Sequence, residues 1–137
     1  MKHTLTIFFI AFSLLSCSKK TDTPVSPVVD TEPAGTVIAT GSFTSGVHTT
    51  SGTAKIFDDK GTKKLRLENF KTDSGPDLKV YLSKDKNATG FINISKLRSA
   101  TGNQNYDITG MPDFVQYKYV LIWCEQFGVL FGSAQIQ

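Results

Sequence analysis

A chain of 137 residues, 39% hydrophobic and 20% charged with a net charge of +3, is long enough for one modest core and too apolar to be a disordered polyelectrolyte. Over residues 36–137, 12 Lys and Arg stand against 9 Asp and Glu, interspersed along the chain, which excludes the clustered cationic face that nucleic acid requires. The two cysteines, Cys17 and Cys124, are too few for a disulfide framework.

Lys2 and His3 precede an apolar run from Leu5 to Leu15, followed by Leu14-Leu15-Ser16-Cys17, the order of an export signal. Eleven residues are too few to span a bilayer, which takes about 20 in a helix. "LLSC" resembles a bacterial lipobox, and the resemblance implies cleavage before Cys17 and lipid on that residue. Residues 1–16 are therefore expected to be a lipoprotein signal peptide. Residues 17–35 are expected to be the lipidated Cys17 and a tether rich in Pro, Ser and Thr. The folded domain is expected over 36–137, on the periplasmic or surface side of a bacterial envelope membrane and held there through the N-terminal lipid.

Within that domain the predicted elements are short strands. Residues 36–44 and 52–57 come first, with His48 in the Gly-flanked turn "SGVHTTSG" between them. In "KKLRLENF" Leu65 and Leu67 share one side while Lys64, Arg66 and Glu68 share the other, the period-two sign of a half-buried strand. "DLKVYLS" repeats it, with Leu78, Val80 and Leu82 inward. Gly75, Pro76 and Asp77 supply the turn before it, and the Asp77 carboxylate is expected to accept backbone N–H groups of that turn. Strands at 91–95 and 104–108 follow, with one helical turn expected in "ISKLRSA" between them.

The segment 117–124 is apolar on both faces, as a central strand covered on each side would be. Trp123 is expected to fill the core. A last strand over 127–136 would turn Phe127, Val129 and Phe131 inward. About eight short strands separated by Gly, Asn, Asp and Pro clusters predict an all-β, single-domain antiparallel sandwich or barrel.

With Cys17 acylated, Cys124 has no partner in its own chain. Two readings stand for it: a packed, inert thiol, or a reactive group at a strand end, open to mixed disulfide, sulfenic acid or metal or haem ligation. Met111 in "TGMPD" is better read as an exposed loop residue than as a haem ligand. The chain carries no CxxC, CxxCH, HExxH, phosphate-binding Gly loop or GxSxG elbow, which argues against hydrolysis, phosphoryl transfer and an autonomous enzyme.

"GSFTSGVHTTSGTAKIF", "LRLENFKTDSGPDLKVYLS" and "YKYVLIWCEQFGVLFGSAQI", in that order, resemble the DM13 domain, a small β-rich extracellular module. The resemblance implies a redox or electron-transfer accessory role. It implies that Cys124 acts as a bare thiol or helps to hold a prosthetic group such as haem, with His48 as a second candidate for holding a cofactor. Gly75, Pro76, Asp77 and Trp123 would be family-motif structural positions. The electron partner would be a separate envelope molecule. The alternative function is a non-catalytic envelope module that binds a partner through its loops while Cys124 is only packed.

Overall fold

The computed structural model describes residues 28–137; the expected signal peptide, Cys17 and the tether up to residue 27 lie outside them. No described residue is helical. The strands are β1 (Val28–Val29), β2 (Thr36–Ser45), β3 (Thr50–Asp59), β4 (Thr62–Thr72), β5 (Leu78–Ser83), β6 (Phe91–Lys96), β7 (Thr101–Ile108), β8 (Tyr119–Cys124) and β9 (Val129–Gln135). They form one nine-stranded sheet in the order β1-β7-β4-β3-β2-β9-β8-β5-β6. All neighbours are antiparallel except β1 and β7. The expected all-β sandwich or barrel is therefore present, as one curled sheet.

β2 makes the curl. Thr36 to Ser42 pair with β3, whereas Phe43 to Ser45 pair with β9, so one strand belongs to both halves and the sheet bends around it. The inward residues then meet in a single core. Leu65 and Leu67 of β4, Ile56 of β3, Val80 and Leu82 of β5, and Val120 and Ile122 of β8 are all fully buried. Each such side chain contributes about 1.5–3 kcal/mol by leaving water. Phe43 and Phe70 meet edge to face at 5.3 Å across the bend, the arrangement that ring quadrupoles favour.

The outer face is less open than a period-two pattern implies. Arg66 faces outward yet is buried, because the chain just after β1 lies over it. Its Nη1 donates to the carbonyls of Asp30 and Thr31, both at 3.1 Å. Val28 and Val29, assigned to the tether on composition, thus add a parallel edge to β7. Tyr81 is likewise outward and buried, its ring stacked on Phe91 at 4.2 Å.

Three expectations are corrected. "ISKLRSA" holds no helical turn: Ile94–Lys96 finish β6 and residues 97–100 cross irregularly to β7. The backbone of that crossing is satisfied elsewhere. Leu97 N–H donates to Leu78 C=O at 2.8 Å and Thr72 N–H to Ala100 C=O at 2.9 Å. Buried Gln104 takes Ser99 N–H on its Oε1 at 3.0 Å and donates its amide to Ser99 C=O at 2.8 Å. Tyr106 also donates to that Oε1, at 2.7 Å, and burial pushes its hydroxyl pKa up to about 12. Trp123 is half-buried on the outer face, because Val120, Ile122 and Cys124 occupy the inward positions of β8. Phe127 is 65% exposed: it sits in the turn 125–128, and the inward alternation starts only after it.

The up-and-down path gathers the connections at two ends. Turns 46–49, 73–77, 97–100 and 125–128 share the end where β8 stops at Cys124. Turns 60–61, 84–90 and 109–118 share the far end.

Candidate functional site

Cys124 closes β8 between Leu78 of β5 and Val129 of β9. The polypeptide then reverses: Gly128 N–H donates to Cys124 C=O at 2.8 Å, and Glu125 N–H donates to Asp77 C=O at 3.0 Å. The first bond forms the turn and the second fastens it to the "GPD" loop. The strand alternation turns the Cys124 side chain inward, where it is 0% exposed within the apolar core that also holds Leu78 and Phe131.

The covering over this part of the core is thin. A Cβ at Gly75 would lie 2.8 Å from both Leu78 Cδ2 and Phe131 Cζ, so the loop presses on these two side chains only because residue 75 has none. Outside the loop and Leu78 lies an open cavity of about 400 Å³ whose wall includes Ser74, Gly75, Leu78, Lys96, Ser99 and Thr101. Leu78 therefore has solvent-lined space on one side and the Cys124 strand on the other.

His48 lies at the same end but not on the thiol. Its Nδ1 is 3.2 Å from Asp73 Oδ2, and its ring stacks on Phe131 at 4.0 Å. Asp73 also accepts Thr49 N–H at 3.3 Å. The imidazole is thus committed to a carboxylate and an aromatic face. Haem does not fit these residues as they stand, because the sulfur has no open side and His48 is paired elsewhere. Among the described residues, no three His, Cys, Asp or Glu side chains cluster as metal ligands would. Met111 is exposed in its loop, as expected.

The carboxylate of Asp77 does not serve its own turn. Its Oδ1 pairs with Lys79 Nζ at 3.0 Å, and the same ammonium is 3.6 Å from Glu125 Oε2. Glu125 also accepts a short hydrogen bond from the Tyr81 hydroxyl. Burial, and then that carboxylate, push the Tyr81 pKa well above the ordinary phenol value. The Asp77 hydrogen bond, opposed by desolvation and aided by Glu125, raises that of Lys79. This outer-face network of Asp77, Lys79, Tyr81 and Glu125 escaped the sequence reading. Lys79 and Tyr81 did share a predicted face, but nothing in one sequence placed the β8–β9 turn beside it. Trp123 stands opposite Lys79 on that face.

At its most basic, then, the site is a sealed thiol at a strand end, within an apolar core that Leu78, Phe131 and a glycine loop cover at this end. A thiol so placed reacts only when the roof opens, since the thiolate needs access and a polar environment.

No curated protein and no solved structure matches the chain. A family model does, over residues 42–136, under the description "Electron transfer DM13". That span runs from the "GSFTSG" segment to the last strand and takes in His48, the "GPD" loop and Cys124, and it carries an electron-transfer-related role at the level of the family. The chain belongs to the electron transfer DM13 family.

Proposed function

We propose that this protein is a lipid-anchored domain of the bacterial cell envelope with an electron-transfer accessory role, and that Cys124 is its redox group. The observation that carries the reading is the roof: Leu78, the β5 pairing partner of the only free thiol among the described residues, and the side-chain-free residue 75 packed against it both line an open cavity. Opening 73–78 without unfolding the sheet exposes the sulfur to a separate envelope partner, while closure keeps it from casual oxidation.

A second reading, a non-catalytic binding module with Cys124 as packing alone, is favoured by the full burial of that residue. Alkylation of Cys124 by a small maleimide in low concentrations of urea, with Cys17 lipidated or replaced (Cys17→Ser), separates the two. The redox reading expects labelling whose rate barely changes with urea, because little surface is exposed in a local opening. It also expects faster labelling in Gly75→Ala, whose added carbon must push Leu78 and Phe131 apart. Labelling that tracks global unfolding, with its full urea dependence, and that is no faster in Gly75→Ala, establishes the packing reading instead.

A further inference from the structure

β1 runs parallel to β7, with Val28 opposite Gly102 and Val29 opposite Asn103. β7 starts at the Cys124 end, so the chain enters the sheet there and runs toward the far end, where β2 begins. That entry is firmly held. Gly102, at φ +103°, lets the Val28 carbonyl approach to where a Cβ would sit, 2.0 Å from that oxygen. Past the strand, Asp30 is tied by Arg98 and by Asn105 N–H at 2.8 Å, and Arg66 holds the next two carbonyls.

The same end presents two apolar side chains to solvent. Val47 is 66% and Phe127 65% exposed, and both stand in turns of this end. Gly46 N–H donates to Phe131 C=O at 2.7 Å and Val47 N–H to Leu130 C=O at 2.9 Å, so the β2–β3 turn lies against the start of β9, just past Phe127. Charge at this end is also asymmetric. Each acid has a partner: Asp73 has His48 and Thr49 N–H, Asp77 and Glu125 share Lys79, and Asp30 has Arg98. Lys71 and Lys96 have no ion-pair partner among the described residues and are exposed.

We propose that the Cys124 end is laid against a phospholipid bilayer, with Val47 and Phe127 entering the headgroup region and Lys71 and Lys96 facing anionic lipid, so that the partner of Cys124 meets it at the bilayer surface. The proposal rests on the lipid-anchored reading of Cys17. Ten residues separate Cys17 from Val28, and ten residues reach at most about 35 Å when fully extended. The ten-residue strands β2 and β3 are themselves about 33 Å long. The anchored end thus stays near the lipid, and the far end comes down only if the tether is stretched to its limit. The far end also exposes apolar groups, Ile38 and Val115 among them, so the direction of chain entry, not apolarity alone, selects the contacting face. A tether leaves rotation free; the two apolar tips restrict it.

The test uses the chain from Cys17 onward in a Cys124→Ala background, coupled through the Cys17 thiol to a maleimide lipid in vesicles of phosphatidylcholine and phosphatidylglycerol. Trp123, the only tryptophan, is replaced (Trp123→Phe, or Trp123→Tyr should the first not fold). A reporter is then introduced as Phe127→Trp at the near end or Val115→Trp at the far end. With phospholipid brominated near the headgroup, the Phe127→Trp protein should lose most of its emission and the Val115→Trp protein should keep it. Equal quenching, stronger quenching of the Val115→Trp protein, or none in either overturns the proposal. Coupling through maleimide makes this outcome independent of cellular acylation. A separate mass measurement of the Cys17 peptide from envelope membranes tests the anchor itself, and a missing lipid there overturns the anchored reading without altering the vesicle result.

Discussion

Cys124 is held by packing alone. Its neighbours are apolar, so a hydroxyl in its place would have no partner, and an unpartnered buried hydroxyl costs about 1–3 kcal/mol in proteins. Cys124→Ser should therefore lower the unfolding free energy by that amount, seen as a lower urea midpoint at unchanged slope, and Cys124→Ala by less, because the alanine cavity is small and leaves nothing unsatisfied. A serine variant as stable as the parent would mean that water or a polar group already reaches the sulfur. At this scale the sequence was informative about identity and poor about surroundings. The strand expected over 117–124 does end at Cys124. Its exposure depended on Leu78, Phe131 and Gly75, which lie 46, 7 and 49 residues away along the chain, and no local pattern records that meeting. Phe127 was misread for a related reason: Phe127, Val129 and Phe131 alternate perfectly, so only the length of the preceding turn shows that the first of them stays outside.

Among the elements, β1 is the most conditional. Two residues of ladder hold little by themselves, and the segment depends on the Asp30 carboxylate beyond it. The Arg98 hydrogen bond, and then the Asn105 N–H, hold that carboxyl below the usual range. A carboxyl whose folded pKa lies below its unfolded value of about 3.9 stabilises fully above that value and ceases to do so as pH falls through the folded one. Protection of the amides around Val28–Asp30 against hydrogen exchange should accordingly fall as the pH drops below about 4 and through the lowered folded value, while that of β3 and β4 persists. Asp30→Asn should reproduce the loss at neutral pH. If the segment stays protected in both cases, the Arg66 bonds to the Asp30 and Thr31 carbonyls are sufficient. The longer strands were legible because apolar residues recur every second position in "KKLRLENF" and "DLKVYLS". β1 was not, since "VV" between prolines and acids satisfies no period, and its place is set by a glycine in β7.

For the molecule as a whole, fold class followed from turn spacing and strand count. Pairing order did not, because alternation tells a strand which face to bury and not which neighbour to take. The decisive pairing is that of β2 with β9, which joins the two halves of the sheet. A chain truncated after Gly128 should fail to form a cooperative fold, leaving no sharp urea transition and poorly dispersed amide resonances. A cooperative transition in that fragment would show that the β1-β7-β4-β3-β2 half stands alone. Synthesis imposes an order on this seam. A polypeptide made from its amino end offers an unpaired stretch of β2 early and must wait until β9 has been made before that edge is zipped. The nascent domain is therefore stickiest just before β9 is made, and whatever shields an emerging chain has to remain on this one until that strand has arrived.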